Sequence, residues 1–249
     1  MRILFILVVA LLSGCAAAPK GPSDEQRMEI TGNYPGLQQL YRQRIQDNPK
    51  DDLAKVKLAK VYAQSGDQEA ALYYLESIPD GRCNAIEGCW LQKAQLAYDA
   101  GDYVGASQHI ERSLVAGQDY YPAQNLRAII LANQGHFSKA RETLYQARLG
   151  MDQENVVINN LAMLDMMEGQ YAHAAQRLMP LYTKGHSDVT IRANLFIALM
   201  RSHQHTVVKS LLLQEFDQPT ALRIYAQLKN DLSADSVSGT AFYTSEETS

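Results

Sequence analysis

The most reactive side chains in this 249-residue chain are three cysteines, and their neighbours point to two different chemistries. Cys15 follows Arg2, an apolar run from Ile3 to Leu12, and then Ser13 and Gly14, so its thiol ends a short export signal over residues 1–14. That run of ten residues is too short for a bilayer, which takes about 20. Cys83 and Cys89 stand six apart around Asn84-Ala85-Ile86-Glu87-Gly88. An oxidising compartment would bridge them, and the other reading is two separately packed thiols. Zinc would need a second pair of ligands nearby, and His203 and His205, one residue apart, cannot share a helix face. There is no Gly-x-Ser-x-Gly elbow, no Gly-rich loop ending in Lys-Ser/Thr and no His-Glu-x-x-His pair, and the acids are scattered. The chain therefore reads as a non-enzyme with no metal or cofactor. Its formal net charge of −4 comes without a basic stripe, which argues against nucleic acid as a partner.

The elements that would position any binding surface announce themselves by repetition. Gly66, Gly101, Gly135 and Gly169 are 35, 34 and 34 residues apart, and Ala71, Ala106, Ala140 and Ala174 each follow five residues later. Seven residues before the glycines stand Ala59, Ala94, Ala128 and Ala162, and nine residues after them Leu75, Ile110, Leu144 and Leu178. A 34-residue period is that of a helix-turn-helix array. Glycine suits the turn because positive φ carries no steric penalty there, and alanine suits the crossing of helices whose axes lie about 8–10 Å apart. A fifth copy keeps the phase with His203, Val208 and Leu212 in place of Gly, Ala and Leu.

This pattern resembles the tetratricopeptide repeat. Trp90 takes the first aromatic position, Tyr103, Phe137 and Tyr171 fill the aromatic slot after the turn, and Asn48-Pro49 opens the first full repeat. The resemblance implies an all-α, right-handed superhelical solenoid of about five helix pairs. Residues 15–34 read as a flexible tether and 35–50 as a capping half-repeat with one helix over 37–46. The array then spans 51–218, a capping helix 219–229 and a disordered tail 230–249. In this family the first helix of each pair lines the concave face. The corresponding positions place Ile129, Met163, Met166, Met167, Ile197 and Met200 on an adaptable apolar inner wall, some of them shared with the core. Asn160 and Asn194 fall where the family uses Asn to bind a peptide backbone, whereas Lys57, Gln92 and Leu126 occupy that position in the earlier repeats. The expected ligand is an amphipathic helix or apolar strand.

By resemblance to bacterial lipoproteins, Leu12-Ser13-Gly14-Cys15 is a lipidation signal, with cleavage before Cys15 and acylation of its thiol and amine. Removing residues 1–14 takes the net charge to −5. Ala16 after the cysteine implies lipid anchoring in the outer membrane, facing the periplasm. Five such repeats, with Asn159-Asn160-Leu161-Ala162 and Arg192-Ala193-Asn194-Leu195 one repeat apart, resemble the TadD family of the tight-adherence (Tad/Flp) pilus system. That family implies a pilotin-like role toward a pilus secretin or another pilus-assembly protein. A type IV pilus pilotin of the PilF kind and an adaptor for a peptidoglycan or outer-membrane assembly complex remain the alternatives.

Overall fold

A left-handed residue closes the first helix of every pair. The computed structural model describes residues 22–117, 120–148, 154–185 and 188–233; the expected export signal, Cys15 and the chain from 234 onward lie outside them. Two helices lead in, α1 (Asp24–Ile30) and α2 (Tyr34–Asp47). The first pair is α3 (Asp52–Gln64) with α4 (Gln68–Glu76), after which comes one turn of helix, α5 (Asp80–Cys83). Four further pairs follow: α6 (Cys89–Asp99) with α7 (Tyr103–Ala116), α8 (Tyr120–Asn133) with α9 (Phe137–Arg148), α10 (Glu154–Met167) with α11 (Tyr171–Thr183), and α12 (Val189–Arg201) with α13 (His205–Glu215). Helix α14 (Gln218–Ser233) closes the described chain.

The turns share one hydrogen-bond scheme. The Gly66 N–H donates to the Ala63 carbonyl at 3.0 Å and the Asp67 N–H to the Tyr62 carbonyl at 2.9 Å, the two bonds that end a helix on a left-handed residue. The same pair recurs in every repeat, down to His203 N–H to Met200 at 3.1 Å and Gln204 N–H to Leu199 at 2.9 Å. Among the described residues His203 is the sole non-glycine at positive φ, at 61°. The fifth repeat has therefore lost the glycine and kept the turn. Asp51, Asp67, Asp102 and Asp188 then start helices by accepting from the N–H groups of Ala54, Ala70, Gly105 and Ile191.

Packing is nearest-neighbour throughout. The alanines of the pattern, Ala59, Ala71, Ala94, Ala106, Ala128, Ala140, Ala162 and Ala174, are all buried, and Val208 is buried at the equivalent place in the fifth repeat. Apolar clusters bridge each repeat to the next: Val56, Leu75, Trp90 and Leu96 join the first two, and Leu144, Val157 and Leu161 join the third and fourth. A solenoid grows in this way, by adding interfaces rather than by enlarging one core.

Three boundaries differ from those expected. Residues 24–30 of the expected tether are helical, because Ser23 and Gln26 form a reciprocal capping box and Glu25 reaches back to Lys57. The N-terminal cap is consequently two helices, with α2 running from Tyr34 to Asp47. At the other end α14 continues to Ser233, into the first residues expected to be disordered, since Leu228 and Leu232 pack against the last core cluster.

Candidate functional site

The expected inner wall of repeats three to five is closed. Asn160 is 0% and Asn194 1% exposed, and Ile129, Met163, Met166 and Met200 are buried as well. Ile197 is half-buried against the core, and of the expected wall Met167 alone is exposed, at 40%. The asparagines bond between repeats. Asn160 Nδ2 donates to Asn125 Oδ1 at 2.9 Å, and Asn194 Nδ2 to Asn159 Oδ1 at 3.0 Å. Each link spans 35 residues, so the partner of Asn160 is Asn125 and not Leu126, the position expected from a 34-residue step. Burying a primary amide is favourable only when it is bonded; these links occupy Asn160 Nδ2 and Asn194 Nδ2, whereas the buried Asn159 Nδ2 has no partner among the described residues. Beside these links Asp165, also buried, is held by Arg141 Nη1 at 2.7 Å and Arg177 Nε at 2.5 Å, tying α9, α10 and α11 together.

The first repeats are arranged differently. Cys83 and Cys89 are joined by a disulfide, which fixes α5 against the start of α6. Next to it the buried Trp90 donates from Nε1 to Asn84 Oδ1 at 2.7 Å and stacks on His109 with ring centroids 5.6 Å apart. Lys93 and Arg112 lie over the indole at 5.1 and 4.6 Å, and both pair with Asp80, at 3.1 and 2.6 Å. Those two cations hold the Asp80 carboxyl below its ordinary value. Desolvation, aided by Lys93 and Arg112, holds His109 below its own, which keeps the imidazole neutral at pH 7.

A cavity of about 490 Å³ opens beside this cluster. Helix α4 contributes Gln68, Leu72, Leu75 and Glu76, and helix α6 contributes Lys93, Leu96, Ala97 and Asp99, with Ala100 just beyond its end. Lys93, Leu96, Ala97 and Ala100 follow the i, i+3, i+4, i+7 spacing of one helix face. Gln92, four residues before Leu96 and seven before Asp99, shares that side of α6 but is itself buried. In repeat one, Lys57 at the family's backbone-binding position is engaged by Glu25. Desolvation alone would raise the Glu25 carboxyl, yet bonds from Lys57 and Tyr41 leave it lowered.

No protein-family model matches the sequence, and no curated protein does. Solved structures do match the fold. A tetratricopeptide repeat protein from Parabacteroides merdae ATCC 43184 is 15% identical with a TM-score of 0.61, over 83% of this chain and 81% of that one. A thermophilic tetratricopeptide-repeat protein of Thermus thermophilus is 19% identical with a TM-score of 0.56, over 71% of this chain and 98% of that one. The chain folds as a tetratricopeptide-repeat solenoid.

Seen as such a solenoid, the cavity has a simple origin. After the turn, repeats two, three and four carry Tyr103, Phe137 and Tyr171, each packed against the cluster that reaches the following first helix. Repeat one carries Gln68 there, and Gln68 lines the cavity. The missing aromatic is visible in the sequence, but a vacancy in a pattern is a weaker signal than a residue with its own chemistry. Asn125 and Asn159 escape a sequence reading for a related reason, because their role depends on a side chain one repeat away.

Proposed function

We propose that this chain is a protein-binding scaffold of the cell envelope, a lipid-anchored, pilotin-like accessory of the Tad/Flp pilus that helps its outer-membrane secretin reach the membrane or assemble. The observation that carries the binding role is the solenoid with an open, largely apolar cavity between its first two repeats. A cavity of roughly 300–1,000 Å³ lined by apolar groups and a few polar ones is the ordinary form of a binding site. The envelope and pilus assignments rest on sequence: the signal ending at Cys15, and the resemblance of the repeats and Asn-Leu motifs to TadD. In this mechanism the lipid at Cys15 gives the membrane address and the solenoid holds a client segment. Confining both partners to one leaflet raises their effective concentration without new interface area.

The test is the amount of detergent-resistant secretin multimer in outer-membrane fractions with and without the gene. Loss on deletion, restored by wild type and not by Cys15→Ala, is the expected result. Multimers unchanged on deletion would refute the pilotin role.

A further inference from the structure

The cavity beside Gln68 has a definite chemical character. Its floor is apolar, formed by Leu72, Leu75, Leu96 and Ala97, and Leu72 remains 48% exposed although it is a large aliphatic side chain on a helix packed to both sides. Its rim carries Glu76, Asp99 and Asp102. The cations nearby do not balance these acids: Lys93 is committed to Asp80 and the face of Trp90, and His109 is neutral at pH 7. Among the described residues neither Glu76 nor Asp99 makes an ion pair, and Asp99 accepts only from Gln95 Nε2, at 2.9 Å. Desolvation lifts the Asp99 carboxyl above its ordinary value, the behaviour of an acid short of a counter-charge.

We propose that this cavity docks a basic amphipathic segment of a protein partner, with a large apolar side chain on the Leu72–Leu75–Leu96 floor and Lys or Arg side chains opposite Glu76, Asp99 and Asp102. The proposal rests on the protein-binding reading above and narrows it to one place and one chemistry. Apolar burial supplies the affinity of such a contact, and the acids supply orientation and selectivity against acidic segments. Gln68 is what admits the partner. An aromatic at this position, as in the next three repeats, would fill the space from within.

The experiment uses the full-length chain in nonionic detergent and two fluorescein-labelled peptides of equal length, one of alternating Leu and Lys clusters and one with every Lys replaced by Glu. Anisotropy titrations, with detergent-only blanks, should show the basic peptide binding at least tenfold more tightly than its acidic twin. Gln68→Tyr should weaken the basic peptide at least tenfold while leaving the thermal melting temperature unchanged or raised. Asp99→Lys, which removes one acid and adds a cation without filling the cavity, should narrow or invert the preference. Equal binding by wild type and Gln68→Tyr would overturn the proposal, as would a preference for the acidic twin. Wild-type self-association abolished by Gln68→Tyr would overturn it in favour of a second copy of the chain. The secretin assay reads separately: peptide binding that fails while multimers still depend on the gene removes this docking site and leaves the pilotin role standing.

Discussion

In repeat one the residue after the turn is Gln68 and a cavity of about 490 Å³ stays open beside it; in repeat four the residue is Tyr171 and its ring packs against the last core cluster. The same repeat geometry thus yields an accessible site beside repeat one and, at the equivalent place in repeat four, a slot taken by a ring. The means of cohesion differ accordingly. Between the first two repeats a disulfide fixes α5 to the start of α6, and Asp80 of α5 pairs with the two cations that stack on Trp90, while the last three are joined by amide links through Asn125, Asn159, Asn160 and Asn194 and by Asp165 between two arginines. Side-chain bonds that cross repeats leave little room for a ligand. A region stitched locally can keep a face open.

The largest test of this division is Asp165→Ala. Removing the carboxylate takes the ion-pair partner from Arg177 and leaves Arg141 with Glu168 alone, their side-chain exposures being 33% and 23%. A loss of about 3 kcal/mol in urea unfolding is expected, the low end for breaking a buried pair because both arginines still reach water. Hydrogen exchange should accelerate in α9 to α11 and stay unchanged in α4 and α6. Acceleration spread evenly over the chain would mean that the two regions unfold as one, and the comparison would fail.

The reciprocal change is Cys83→Ser with Cys89→Ser. Freeing a bridge between residues six apart costs about 2 kcal/mol in the chain-entropy account. The exchange protection lost should be that of α5 and α6, with the amide-linked helices α10 and α12 untouched. Basic-peptide binding should weaken with it, because Trp90 and Leu96 share a cluster with the bridged cysteines.

How much of this is legible in the sequence depends on the range of the interaction. The glycine and alanine pattern is readable because a left-handed turn and a helix crossing constrain residue type locally, whatever lies further along the chain. The capping box at Ser23 and Gln26 is equally local and could place α1, but seven residues of helix are marginal without the distant Glu25–Lys57 pair. Asn160 and Asn194 stand out in the sequence, yet their bonds to Asn125 and Asn159 are not written in it. An amide's sequence neighbourhood says that it must be satisfied, not whether a ligand or the next repeat satisfies it.

The smallest effect concerns the fifth repeat, where His203 holds φ at 61° in a turn that elsewhere uses glycine. His203→Gly should stabilise the chain by about 1 kcal/mol, read as a rise in melting temperature. A fall would show that the ring contact with His205, centroids 6.1 Å apart, outweighs the backbone strain.

Gln68 also says something about how a repeat array diversifies. The open site in repeat one coincides with a ring missing from a slot that Tyr103, Phe137 and Tyr171 fill in the next three repeats. Each of those repeats is one substitution from the same vacancy. A duplicated array can thus gain or lose docking sites through single codon changes, and an engineer could move the site along the solenoid by exchanging an aromatic and a glutamine between repeats.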